Sequence, residues 1–396
     1  MNIKGLLLGS AAALVAVSGA RAADAVVIAE PEPMEYVRVC DTYGVGFYYI
    51  PGTETCLKVS GYMRYDIAAG TTGQGSMLDV IDKKDFYDNV ILDGDGDVDI
   101  NDTWYKRARF ALRVDSRTET ELGTLRTYAQ VNFQYTTGQD GLWIAGVQVD
   151  PSDALGFGVS TSNTSIALEH AYIELGGFRV GRTDSLFSTF TGYSSGVSND
   201  GLVPYGPFDT HQMAYTFTGG NGFTAAVALE TGTGGAAIDA GGVVVADAYA
   251  IDSYMPHVVG GIGYTGGWGG IAVVAGYDSV WEEGAVKGRI DFNASDAISL
   301  FVMGAWSSTD SFNYYAPWGG DWAVWVGGAW QFNEKATLNF EVGYDDFENF
   351  STAVNLDYEL VNNFHVIPEI TYVDNFDTDP DDNWGAMLRL QANFGG

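Results

Sequence analysis

About sixteen short amphipathic segments follow one another along this chain, and the gaps between them alternate, long then short, to its end. Inside each segment the pattern has a period of two. At 104–116, Ala108, Phe110, Leu112 and Val114 fall on one side, and Arg107, Arg109, Arg113 and Asp115 on the other. At 122–136, Leu125, Val131, Phe133 and Tyr135 oppose Arg126, Gln130, Asn132 and Gln134. In the last segment Trp384, Ala386, Leu388, Leu390, Ala392 and Phe394 oppose Met387, Arg389, Gln391 and Asn393. Successive strand side chains point to opposite faces of a sheet, so each segment reads as a strand with one apolar and one polar face. Tight turns at one end and long loops at the other match an all-β fold, a 16-stranded antiparallel transmembrane β-barrel in an outer membrane. No soluble fold imposes that rule on a whole chain. An arginine and two amides inside the closing strand also suit a wet lumen better than a dry core.

The strands are expected near 56–68, 104–116, 122–136, 164–175, 178–183, 210–218, 222–231, 257–265, 268–278, 284–293, 297–309, 320–332, 336–344, 349–360, 363–373 and 383–394. An even count leaves both chain ends on the periplasmic side. Ile298, Leu300, Val302 and Trp306 form one outward set, and Leu338, Phe340, Val342 and Tyr344 another. Trp104, Tyr135, Trp268, Trp306, Trp322, Trp330, Tyr344 and Trp384 stand at strand ends, where aromatic girdles form. The long stretch 69–103 shows no strong pattern.

The N-terminus reads as a secretory signal over 1–22. Lys4 supplies the charge, Leu6 to Val17 the apolar run, and Ala20-Arg21-Ala22 the cleavage pattern. The apolar run is too short to favour a retained anchor. A periplasmic lead-in, 23–55, and the barrel, 56–396, follow. Without the signal the chain carries 17 basic against 51 acidic residues, because Lys4 and Arg21 are lost from 19. Nucleic-acid binding wants a basic face, so that partner is excluded. No run of eighteen apolar residues follows the signal, which excludes helical spans. A soluble sandwich pair or propeller remains the competing architecture. Cys40 and Cys56, the two cysteines of an exported chain, favour a disulfide.

Val37-Arg38-Val39-Cys40-Asp41, the stretch Tyr49 to Val59, and Gly61-Tyr62-Met63-Arg64-Tyr65-Asp66 resemble the opening of mature alphaproteobacterial general porins. Phe178-Arg179-Val180-Gly181-Arg182-Thr183-Asp184 is similar to the Gly-Arg strand that precedes the constriction loop in that family, and the strand ending at Phe394 to its C-terminal signature. Family members commonly end on the aromatic residue, whereas Gly395 and Gly396 follow here. The resemblance implies a homotrimer in the outer membrane of a Gram-negative bacterium, in contact with lipid and lipopolysaccharide. It also implies passive diffusion of small hydrophilic solutes and ions through a water-filled pore, with no cofactor and no catalysis.

A diffusion pore needs a polar lining and a narrow zone in which charge filters solutes. Arg107, Arg109, Arg113 and Arg126 lie on lumen-type faces. By resemblance Arg182 joins them, although it shares parity with Val180 and Phe178 and fits the lumen only at a strand end or bulge. The gap at about 184–209 is then the inward-folded constriction loop, with Asp184, Asp200 and Asp209 as its acids. Set across water from the arginines, these acids would orient dipolar solutes. The competing reading pairs the arginines with acids on their own face. Acidic outer loops favour cations at the mouth, and the basic wall opposes them.

Asp93, Asp95, Asp97 and Asp99 have part of the spacing of a calcium loop, but Val98 and Trp104 stand where a Gly and a Glu belong. Loosely bound divalent cations at this loop, or at Asp374, Asp377, Asp379, Asp381 and Asp382, are the most this supports; a solvated acidic loop explains it equally. Gly192–Gly196 and Gly261–Gly266 match enzyme motifs by spacing, but no strand–turn–helix surrounds them, and 52 glycines make chance matches common. The four histidines lack zinc spacing; His170 and His211 are placed in or near the lumen. The rival functions are a substrate-specific channel, for which inward Tyr128, Phe301 and Trp325 are too scattered a ladder, and a non-conducting adhesin or barrel enzyme.

Overall fold

The computed structural model describes residues 38–70, 78–81, 100–137, 142–144, 147–149, 162–233, 237–238, 244–245, 248–376 and 383–395. The sequence expectations for the signal 1–22, for the lead-in over 23–37 and for Asp93, Asp95, Asp97 and Asp99 fall outside them. Sixteen antiparallel strands close into one barrel. They are β1 (Cys56–Gly70), β2 (Tyr105–Thr120), β3 (Gly123–Thr137), β4 (Ser162–Leu175), β5 (Phe178–Thr183), β6 (Thr210–Thr218), β7 (Phe223–Glu230) and β8 (His257–Gly266). The second half comprises β9 (Gly269–Asp278), β10 (Glu283–Ser295), β11 (Ile298–Ser307), β12 (Trp322–Asn333), β13 (Ala336–Asp345), β14 (Asn349–Val361), β15 (Phe364–Asn375) and β16 (Asn383–Phe394). Each pairs with its neighbour in sequence, and β16 closes on β1 from Gly61↔Phe394 to Gly70↔Gly385. Closure removes the sheet edges, so no strand exposes unpaired backbone to lipid.

The barrel bounds lie within a few residues of the sequence expectation. The long–short alternation does not hold throughout. Two outer connections, 279–282 and 346–348, are as tight as periplasmic turns; Glu282 (φ 58) and Glu348 (φ 63) supply the left-handed residue each needs. The first long gap also carries a small ribbon, Leu78–Ile81 on Ile100–Thr103.

The outward faces are apolar and exposed: Ile166 is 68%, Ile262 59% and Val302 56% accessible. Such a continuous belt would aggregate in water, and it is what a bilayer solvates. Of the eight girdle aromatics only Tyr344 is half-buried; the other seven are exposed. Trp306 and Trp322 sit side by side in register at the outer end, and Trp268 and Trp330 mark the turn end.

Cys40 and Cys56 are joined in a buried disulfide. It pins the described part of the lead-in beneath the wall, where Tyr43 Oη donates to Glu119 (2.9 Å) and Lys58 Nζ to Val45 O (3.0 Å).

Candidate pore constriction

The connection 184–209 turns into the lumen at once. Ser185 caps the short helix α1 (Leu186–Thr189), its Oγ accepting from Phe187 N. Glu230, fully buried at the outer end of β7, accepts from Ser185 Oγ (2.7 Å), Leu186 N (2.7 Å) and Tyr315 Oη (3.1 Å). The loop is then fastened across the barrel, strand by strand. Lys287 Nζ (β10) donates to Tyr205 O (2.6 Å), Arg289 to Tyr193 O (2.5 Å), and Trp325 Nε1 (β12) to Val203 O (2.8 Å). Asn355 Nδ2 (β14) donates to Gly196 O (3.2 Å), while Glu369 (β15) accepts from Ser198 N and from Asn199 Nδ2 (2.5 Å). A polar loop backbone can lie in a barrel because these wall side chains satisfy it.

Loop and wall enclose a dry core. Phe187, Val203, Tyr205, Phe301, Met303 and Trp325 are all buried in it. A second outer connection, 308–321, also folds inward and adds Tyr314, Tyr315 and Trp318 to this core. The wall makes room by being small. A Cβ on Gly261 would stand 2.5 Å from the Phe190 ring, and one on Gly276 2.6 Å from the Tyr315 ring. Phe301 and Trp325 are therefore packing residues under the loop, not rungs of a lumenal ladder.

The opposite wall, β16 and β1–β5, is polar, and no described loop covers it. Towards its outer end, buried Asp66 holds Arg107 (2.5 Å) and Arg389 (2.8 Å). At the periplasmic end a chain of charges crosses four strands: Asp115 holds Arg117 (2.8 Å) and Arg126 (2.9 Å), and Glu174 holds Arg126 (2.9 Å) and Arg179 (2.6 Å). Tyr128 and Tyr172 stack 5.2 Å apart, with Arg126 over both. Between the two layers, the partners of Arg64, Arg109 and Arg113 among the described residues are glutamine carbonyls, those of Gln391, Gln134 and Gln130.

A family model of the porin subfamily matches residues 24–392. The chain is 48% identical to porin Omp2a of Brucella melitensis, with all of both chains covered. This chain is a porin. It is also 47% identical to porin Omp2b of Brucella neotomae, again with both chains covered in full. Two solved structures share the fold. OmpF of Salmonella typhi aligns at a TM-score of 0.52 over 86% of this porin and 98% of that one, with 11% identity. OprB of Pseudomonas putida aligns at 0.53 over 85% and 94%, with 10% identity. The protein is thus a multi-pass β-barrel of the outer membrane and a passive diffusion channel, and the family is one of channels rather than enzymes.

Within this porin Arg107, Arg109, Arg113 and Arg126 share the lumenal parity of their strands. Arg107 and Arg126 carry carboxylate partners, while Arg109 and Arg113 have none among the described residues. Arg182 does not join that wall. It pairs in register with Ala171 and His211 on the outward parity. A bulge at Glu169 in β4 frees two carbonyls, and Arg182 Nη1 donates to those of Leu168 and Glu169 while its other nitrogen meets Asp209 at 3.4 Å. His211 likewise faces outward and is exposed, whereas His170 faces the lumen and bonds Thr183 Oγ1 (3.0 Å).

The three loop acids are engaged locally. Asp184 accepts from Tyr193 Oη (2.6 Å), Asp200 from Tyr205 Oη (2.8 Å), and Asp209 sits at the loop's root beside Arg182. Burial pushes the Asp200 carboxyl above the usual carboxylate range, with the Tyr205 hydroxyl pulling against it. Burial raises Asp209 too, and Arg182 opposes it. Sequence reasoning left out Arg64, Arg117 and Arg179 as wall members, although parity alone places them. It also left out Glu230, Lys287 and Glu369 as loop anchors. The second inward loop had a signal in the run Tyr314-Tyr315-Ala316-Pro317-Trp318, too apolar for a solvated loop.

Proposed function

We propose that the open side of the lumen, between the constriction loop and the wall of Arg64, Arg107, Arg109 and Arg113, is the filter for small hydrophilic solutes and ions. The observation that carries this is the fastening of loop 184–209 to five strands of the opposite wall, which narrows the barrel from the side away from these arginines. Solutes are sorted by size at the loop and by charge at the wall, where low-dielectric surroundings strengthen the field of the guanidinium groups. No cofactor and no catalytic step are needed. Following its family, the porin works as a homotrimer, with its aromatic girdles at the level of lipid and lipopolysaccharide headgroups.

Single-channel recording of the purified protein in planar bilayers tests this reading. Large, stable, ohmic steps grouped in threes are expected. A folded but silent barrel would overturn it in favour of an adhesin.

A further inference from the structure

The middle layer of the wall departs from the layers on either side. Arg107, Arg117, Arg126, Arg179 and Arg389 each face a carboxylate. Arg64, Arg109 and Arg113 face none among the described residues. Arg64 and Arg109 are nevertheless direct cross-strand partners in register. Like charges placed so are destabilising unless an anion lies between or before them. The nearest acid on that face, Asp66, already gives one oxygen to Arg389 and the other to Arg107.

The way the three are tethered matters as much as their charge. Arg64 Nε donates to Gln391 Oε1 (2.8 Å) and Arg113 Nε to Gln130 Oε1 (2.7 Å); Arg109 uses Nε and one terminal nitrogen on Gln134 Oε1 (2.9 and 2.6 Å). Neutral carbonyls thus grip the inner edges of the guanidiniums. Among the described residues, both terminal nitrogens of Arg64 and of Arg113, and one of Arg109, have no hydrogen-bond acceptor. Tyr62 fixes the planes: its ring centroid lies 4.5 Å from the Arg64 guanidinium carbon and 5.4 Å from that of Arg113. Half-buried, pre-oriented forks of this kind match the paired oxygens of a carboxylate or phosphate.

We infer that Arg64, Arg109 and Arg113 form a binding station for multiply charged oxyanions, the chemistry shared by phosphate esters and polycarboxylates. The inference rests on the open side of the lumen being the conducting path. A singly charged ion such as chloride passes the station, whereas an anion that spans two forks dwells there. Permeation of such solutes is then saturable, unlike free diffusion.

The test is single-channel recording of the full-length porin in potassium chloride, with pyrophosphate or citrate added to one side. Both anions are expected to interrupt the chloride-supported current in a saturable manner. Block by pyrophosphate alone would assign the station to phosphates, and block by citrate alone to polycarboxylates. In the triple variant Arg64→Gln, Arg109→Gln, Arg113→Gln the blocking affinity should fall at least about tenfold, as expected for losing charge-assisted bonds. The triple lysine variant keeps the charge and loses the forks, so its block, read as a fraction of that variant's own chloride current, should be weaker than the parent's. Normal chloride conductance with no block by either anion, or undiminished block in both triple variants, overturns the station and leaves the pore reading intact. A silent wild-type barrel overturns both.

Discussion

At the level of loop 184–209 the lumen beside β6–β13 is filled, whereas no described loop covers the wall of β16 and β1–β5, although both walls obey the same period of two. On the filled side the inward positions hold Ala214, Ala228, Val259, Val274, Ala285 and Ala323, and two loops cover them. On the open side they hold arginines, glutamines and tyrosines, and no described loop crosses them. A small apolar wall can admit a loop at van der Waals distance and gains from excluding water. A wall of guanidiniums would have to be desolvated to do so, at a cost no loop of this composition offsets. The position of the constriction loop therefore follows from which inward faces can be dried. The polar residues of the dry side are consistent with this, since Glu230 and Lys287 each bond to the loop.

The largest effect should come from breaking the dry side. Trp325→Ala removes a fully buried indole and its bond to Val203 O, and should cost about 4 kcal/mol. The expected readouts are a lower temperature for loss of the folded, gel-shifted barrel and a larger, noisier conductance as the loop loosens. An unchanged conductance would mean that loop 184–209 does not set the aperture.

Asp66→Asn probes the wet side. It leaves Arg107 and Arg389 without their shared carboxylate, and should cost about 3 kcal/mol because each guanidinium is more than nine-tenths buried. Here conductance should stay near that of the parent, while reversal potential in a salt gradient shifts towards anions. A shift towards cations would break the distinction between the two halves.

The smallest effect is expected from pH at the border between them. Asp200 is a loop acid whose folded-state pKa is raised, so the folded loop binds its proton more tightly than the unfolded chain does. That stabilisation is complete below the ordinary carboxylate range and is lost as pH rises through the raised value. Thermal stability should therefore decline modestly over this window, and Asp200→Asn should flatten the slope. A slope that survives the substitution belongs to another group.

The disulfide, the sixteen strands and the facing of nearly every strand residue were legible in the chain, because strand geometry converts local alternation directly into inside and outside. Arg182 shows where that reading holds and where a borrowed role does not. Its parity points outward, and the bulge at Glu169 keeps it there by offering two carbonyls. The three loop acids show the complementary limit. Nothing within a few residues of Asp200 indicates that Tyr205 will turn back to it, or that Glu369, 170 residues from Asn199, will hold the neighbouring stretch. Period, turn chemistry and cysteine count thus determined the barrel and its two faces by themselves, since each acts over a handful of residues. Which loops enter the barrel, which arginines keep a carboxylate and which are left to glutamine were decided only in the tertiary structure. Those choices depend on contacts between strands and loops that the closed barrel alone brings together.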